Sequence, residues 1–143
     1  MHPVLKVAAV ITALVIGFFA NDLRQLASPS SNESIALEDY CFVSTKPCEQ
    51  DTVTMTLDTD NAQPLIPATI TVNWKGAQSE TLMLDLKGVE MDMGTVKYVL
   101  KPVQDNQFQA EIILPICTSH EMTWIGTLTD GQQTVFPAIR IER

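Results

Sequence analysis

Beyond residue 50 the chain is built from short runs in which apolar and polar residues alternate. Val53, Met55 and Leu57 alternate with Thr52, Thr54 and Thr56. Ala68, Ile70, Val72 and Trp74 share one parity, with Thr69, Thr71 and Asn73 on the other. Leu82, Leu84 and Leu86 repeat the pattern, as do Phe108, Ala110, Ile112 and Leu114. A period of two puts one set of side chains on each face of a half-buried strand. The pattern predicts seven strands: Thr52–Asp58, Ala68–Trp74, Thr81–Lys87, Val96–Lys101, Phe108–Leu114, Thr123–Thr129 and Thr134–Ile141. Lys75-Gly76, Asp105-Asn106 and Asp130-Gly131 separate them, and these residue types tolerate tight bends. No internal repeat and no amphipathic helical pattern interrupts the series.

Seven short antiparallel strands in roughly a hundred residues fit an all-β fold. The expected architecture is an immunoglobulin-like or cupredoxin-like antiparallel β-sandwich, with a small closed barrel as the alternative.

The N-terminus follows a different rule. Pro3 to Ala20 is apolar apart from Lys6 and Thr12, and Val7 to Ala20 carries no charge. Its length falls between a signal-peptide core and a full membrane span. The available cleavage position, Gly17-Phe18-Phe19-Ala20, places bulky rings where small residues are wanted. Residues 1–26 are therefore read as one uncleaved transmembrane helix, a signal peptide being the alternative. Lys6 and the N-terminus stay in the cytoplasm, which puts the rest outside. Residues 27–50 form a Ser- and Pro-containing linker and a lead-in, and residues 51–143 form the sandwich. The expected location is a bacterial inner membrane, single-pass, with the C-terminal domain in the periplasm.

Charge narrows the partners. The formal net charge is −8 and the isoelectric point about 4.5. An acidic domain repels phosphate backbones, which argues against nucleic acid as a ligand. The charges are scattered, as on an ordinary solvated surface.

Three cysteines leave one unpaired in an oxidising compartment. Three pairings are open. Cys41 and Cys48 are close in sequence, with Lys46-Pro47 as a bend between them, so a local Cys41–Cys48 disulfide is expected. It would pin the end of the linker to the domain. Cys117 is then a free thiol.

Two segments hold the remaining unusual side chains. Gly88–Gly94 contains Met91 and Met93; Leu114–Trp124 contains Cys117, His120 and Met122. Thioether, thiolate and imidazole together describe a site for a soft ion, and Cu(I) fits better than zinc. If the strands alternate in direction, both segments lie at the same end of the sandwich. Met91 and Met93, spaced i, i+2, would face the same way in extended backbone. The bland alternatives are end-of-core packing for the methionines and a solvated loop position for His120. Met122 shares parity with Trp124 and Leu128, which favours packing as much as ligation.

An N-terminal anchor, a small sandwich, the turn Met91-Asp92-Met93-Gly94 and the later segment Leu114-Pro115-Ile116-Cys117 together resemble small membrane-anchored periplasmic copper-related proteins of the FixH-like and YtkA-like kind. The resemblance spans Asp51 to Arg143 loosely and is specific only at those two segments. Where such proteins often carry a histidine beside the methionine pair, this chain has Val89 and Glu90. The resemblance implies copper delivery, or assembly of a respiratory oxidase, with that oxidase or another copper protein as partner.

The functional expectation is a non-enzymatic extracytoplasmic Cu(I)-binding protein, with Met91, Met93, Cys117, His120 and Met122 as candidate ligands. The competing expectation is a metal-free assembly subunit docking on a membrane complex. A thiol oxidoreductase is disfavoured because no Cys-x-x-Cys pair is present. Adjacent Ser119 and His120 without an oriented acid do not make a hydrolase. A blue-copper site would need a second loop histidine.

Overall fold

The computed structural model describes residues 36–116 and 118–143. The chain divides into two units, residues 1–34 and 35–143, and the description concerns the second. The expected membrane helix, residues 1–26, lies outside the described residues. Among the described residues, no helix is long and apolar enough to cross a membrane.

The domain is all-β, a sandwich with barrel-like continuity. A short 3-10 turn, Leu37–Asp39, leads into β1 (Cys41–Phe42) and β2 (Cys48–Gln50). Then follow β3 (Val53–Leu57), β4 (Ala68–Trp74), β5 (Leu82–Gly88), β6 (Thr95–Gln104), β7 (Gln107–Ile112), β8 (Glu121–Thr129), β9 (Thr134–Val135) and β10 (Pro137–Glu142). Each of the seven runs of alternation forms a strand. The last is divided in two, and β1 and β2 are additional.

The strands form one hydrogen-bonded path, β1-β10-β8-β5-β6-β7-β4-β3-β2, with β9 beside β8. Pairing is antiparallel except where β1 runs parallel to β10. The long strand β6 joins the two layers. Its first half, Thr95 to Leu100, pairs with β5, and its second half, from Lys101, pairs with β7. This makes β6 longer than the six-residue run that alternation marks.

One register runs through β9 and β10. Leu128 faces Val135 and Ile125 faces Ala138, so a single hairpin strand is interrupted only around Phe136. There the backbone turns to other partners. The Phe136 N–H donates to Gln50 Oε1 at 2.7 Å, and its carbonyl accepts from the Cys41 N–H at 2.8 Å.

Cys41 and Cys48 are disulfide-bonded, with Cα atoms 5.8 Å apart. The bond does more than pin the linker. It joins β1 to β2, the first and last strands of the path.

The inward parity of every long strand fills one core. Met55, Ile70, Val72, Trp74, Leu84, Leu100, Trp124 and Ile139 are essentially inaccessible. Each such aliphatic side chain contributes about 1.5–3 kcal/mol relative to exposure.

Strand direction sorts the connections into two poles. The β3–β4, β5–β6 and β7–β8 connections lie at one pole, with the end of β10. Leu65 N–H donates to the Leu114 carbonyl at 3.1 Å, Val89 N–H to Thr123 at 2.9 Å and Arg143 N–H to His120 at 2.9 Å. The tight turns after β2, β4, β6 and β8 occupy the other. There Asp130 is buried, and its carboxylate accepts from the N–H groups of Gln78, Gln132 and Gln133 at 2.8–2.9 Å.

Candidate functional site

The two soft-donor segments lie at the same pole because β5 and β8 are antiparallel neighbours. Gly88, the last residue of β5, faces Trp124 near the start of β8. The residues beyond Gly88 and before Trp124 therefore emerge side by side. Two bonds fasten them. Val89 N–H donates to the Thr123 carbonyl at 2.9 Å, and the Glu90 carboxylate accepts from the Thr123 N–H at 2.8 Å.

Glu90 thus latches the β5–β6 loop to β8. Burial alone would push its carboxyl up. Hydrogen bonds from Thr123, its own N–H and the charge of Arg140 outweigh that and hold it below its ordinary value. Arg140 donates to Glu121 at 2.7 Å and stands 3.9 Å from Glu142. That hydrogen bond and the Glu121 charge, opposed by burial, hold its guanidinium more firmly charged than usual.

Gly88 is a close-approach position. A Cβ there would collide with the terminal methyl of Met122 and lie 2.6 Å from the Met91 carbonyl oxygen. The contact shows how near Met122 and Met91 are to one another across this glycine. Past it, the loop ends in a tight turn. Asp92 Oδ1 accepts from the Gly94 N–H at 3.1 Å, and Gly94 sits at φ +77°. Glycine adopts that conformation without a Cβ penalty.

The candidate ligands occupy different environments. Met91 is exposed, at 38 %. Met93 is half-buried and packs on the edge of the core. The backbone bends at 89–91 before the turn at Gly94. His120 is exposed, next to the start of β8. Met122 is a core residue, 2 % exposed, consistent with its parity with Trp124. Cys117 lies outside the described residues. Among the described residues, no three His, Cys, Asp or Glu side chains gather as a metal site. The pole carries thioether and imidazole groups alongside the carboxylates of Glu90, Asp92, Glu121 and Glu142.

Trp124 lies beneath the β7–β8 connection. It is fully buried, and its indole N–H donates to the Pro115 carbonyl at 3.3 Å. Trp124 is thus a floor that holds the start of the connection down.

Sequence reasoning missed two features of this pole. The Glu90 latch depends on a Thr123 N–H that only strand pairing brings within reach. The second is the β3–β4 loop, Asp58 to Pro67, read only as a connection. It carries exposed Leu65 and Ile66.

No family model, no curated protein and no solved structure matches this chain.

Proposed function

We propose that the domain is an extracytoplasmic Cu(I)-binding module that buffers or delivers copper and catalyses no reaction. The observation that supports this most is the fastening of the methionine loop to β8. Val89 and Glu90 both bond Thr123, and Gly88 seats the end of Met122 beside the backbone of Met91. Met91, Met93 and His120 are then the donors at one pole, with Cys117 supplied by the β7–β8 connection. Met122 packs beneath them. Thioethers bind Cu(I) without losing a proton, which suits transfer between proteins.

In this proposal the domain is an immunoglobulin-like or cupredoxin-like sandwich carried on a single-pass bacterial inner-membrane helix, residues 1–26, with the domain in the periplasm. The copper acceptor would be a respiratory oxidase or another copper protein.

The test is Cu(I) titration of the chain against a chromophoric Cu(I) chelator. Met91→Leu with Met93→Leu keeps volume, at a packing cost below about 1.5 kcal/mol per site. The double variant should retain its thermal midpoint and lose at least tenfold in Cu(I) affinity. Unchanged affinity would leave the methionines as packing residues and end the copper reading.

The metal-free alternative, an assembly subunit docking on a membrane complex, draws on the exposure of Met91. Methionine is an adaptable contact residue. Under that reading the purified chain retains no copper.

A further inference from the structure

The β3–β4 loop holds two aliphatic side chains out of the protein at a conformational cost. Its sequence is Gln63-Pro64-Leu65-Ile66-Pro67. Leu65 is 69 % exposed and Ile66 52 %. Leu65 sits at φ +59°, in the left-handed region. A leucine there gains nothing from burial and carries a penalty that glycine would avoid. Strain of this kind persists where the surroundings over-determine it.

The surroundings do so here. Leu65 N–H donates to the Leu114 carbonyl at 3.1 Å, and Ile66 N–H to Gln63 at 3.3 Å. Ala62 is clamped on β10: its N–H donates to Arg140 at 2.9 Å, and its carbonyl accepts from Glu142 at 3.0 Å. Two prolines limit the backbone further. The loop is a braced ridge between two open clefts. One, of about 410 Å³, is lined by Gln63 to Ile66 with Glu142 and Arg143. The other, of about 270 Å³, is lined by Asp58, Thr59, Gln63 and Ile66 to Ala68. Ile113, 45 % exposed, adjoins the Leu114 carbonyl that braces Leu65.

Charge selects the occupant. This pole carries the carboxylates of Asp58, Asp60, Glu90, Asp92, Glu121 and Glu142 against the guanidinium groups of Arg140 and Arg143, so its balance is acidic. An aliphatic ridge on an acidic pole complements an aliphatic socket with a basic rim. We propose that Leu65 and Ile66, with Ile113, form a docking ridge for a protein segment that presents leucine-like side chains among lysines or arginines. The ridge does not depend on copper, and its residues are separate from the candidate ligands.

The test titrates the full isotopically labelled chain with three synthetic peptides of equal length, built from alternating Lys/Leu, Lys/Ser and Glu/Leu. The Lys/Leu peptide should shift the amides of Gln63, Leu65, Ile66 and Ile113. Leu65→Ser with Ile66→Ser should weaken its binding at least tenfold without lowering the thermal midpoint. Leu65→Gly should lose binding while the midpoint holds or rises, because the left-handed backbone no longer carries a side chain. Equal binding of the Lys/Ser or Glu/Leu peptide would overturn the proposal. So would amide shifts at the ridge on dilution of the chain alone, which would mark a second copy as occupant. Loss of binding to neutral phosphatidylcholine vesicles in the double variant would mark lipid instead. A fall in midpoint for Leu65→Gly would make Leu65 structural and overturn it as well.

Discussion

The hydroxyl of Tyr98 accepts a hydrogen bond from the Ile113 N–H at 3.1 Å and donates one to the Ile113 carbonyl at 2.6 Å. Tyr98 is on the half of β6 that pairs with β5, and Ile113 follows β7. The β6–β7 ladder begins only at Lys101 and Gln109, so the two strands have parted here. One side chain spans the split and satisfies both backbone groups. Tyr98→Phe removes both bonds and should cost about 1–3 kcal/mol. Chemical denaturation measures this. The amide of Ile113 should also exchange faster with solvent.

Asp130 ties the opposite pole. Burial would raise its carboxyl, but N–H bonds from Gln133, Gln78 and Gln132 dominate and hold it below its ordinary value. A depressed carboxylate contributes stability that is complete above its unfolded pKa and is lost as pH falls through the folded value. The domain should therefore lose stability once pH drops below about 4, the ordinary aspartate range. Asp130→Asn should flatten that part of the acid profile and cost about 1–3 kcal/mol at neutral pH. Thermal melts at a series of pH values check both.

Two glycines should respond differently to alanine. At Gly126 a Cβ would overlap the Asp85 carbonyl oxygen and lie 2.7 Å from its carbon, both backbone atoms of the neighbouring strand. Neither can move without opening the β5–β8 ladder, so Gly126→Ala should cost more than about 3 kcal/mol. At Gly88 the first obstacle is the flexible end of Met122. Gly88→Ala should cost about 1–3 kcal/mol and displace the Met91 loop. Denaturation midpoints rank the two, and amide shifts at Val89–Gly94 report the displacement.

Peptide mass spectrometry without reduction should recover Cys41 linked to Cys48. Replacing both by serine should cost about 2–3 kcal/mol for so short a closed loop. A link from either residue to Cys117 would remove the thiolate from the proposed copper site.

Much of this fold is legible in the sequence because each long strand buries one face. Residues of one parity at 53–57, 68–74 and 82–86 are the residues that disappear into the core. The edges were not legible. Cys41–Phe42 and Cys48–Gln50 are too short to alternate, and their pairing depends on distant neighbours. The second half of β6, Lys101 to Gln104, is exposed throughout and contains Pro102, so no apolar rhythm marks it. The break at Phe136 is invisible because the apolar register continues through it; the cause is Gln50, 86 positions away. At the candidate site, strand counting placed the two loops at one pole. That Met93 packs against the edge of the core while Met91 is exposed was not legible, because their i, i+2 spacing alone does not say which of them meets the core.

The disulfide has a consequence for solubility. No backbone ladder joins β1 to β2 among the described residues; the Cys41–Cys48 bond closes that interval. An unpaired strand edge is a template on which another chain can add. Breaking this one covalent link leaves the two edge strands, of two and three residues, held only by their single ladder neighbours, β10 and β3, and the bonds around Phe136. Reducing conditions should therefore increase self-association through Cys41–Phe42 and Cys48–Gln50, which size-exclusion chromatography with and without reductant would show.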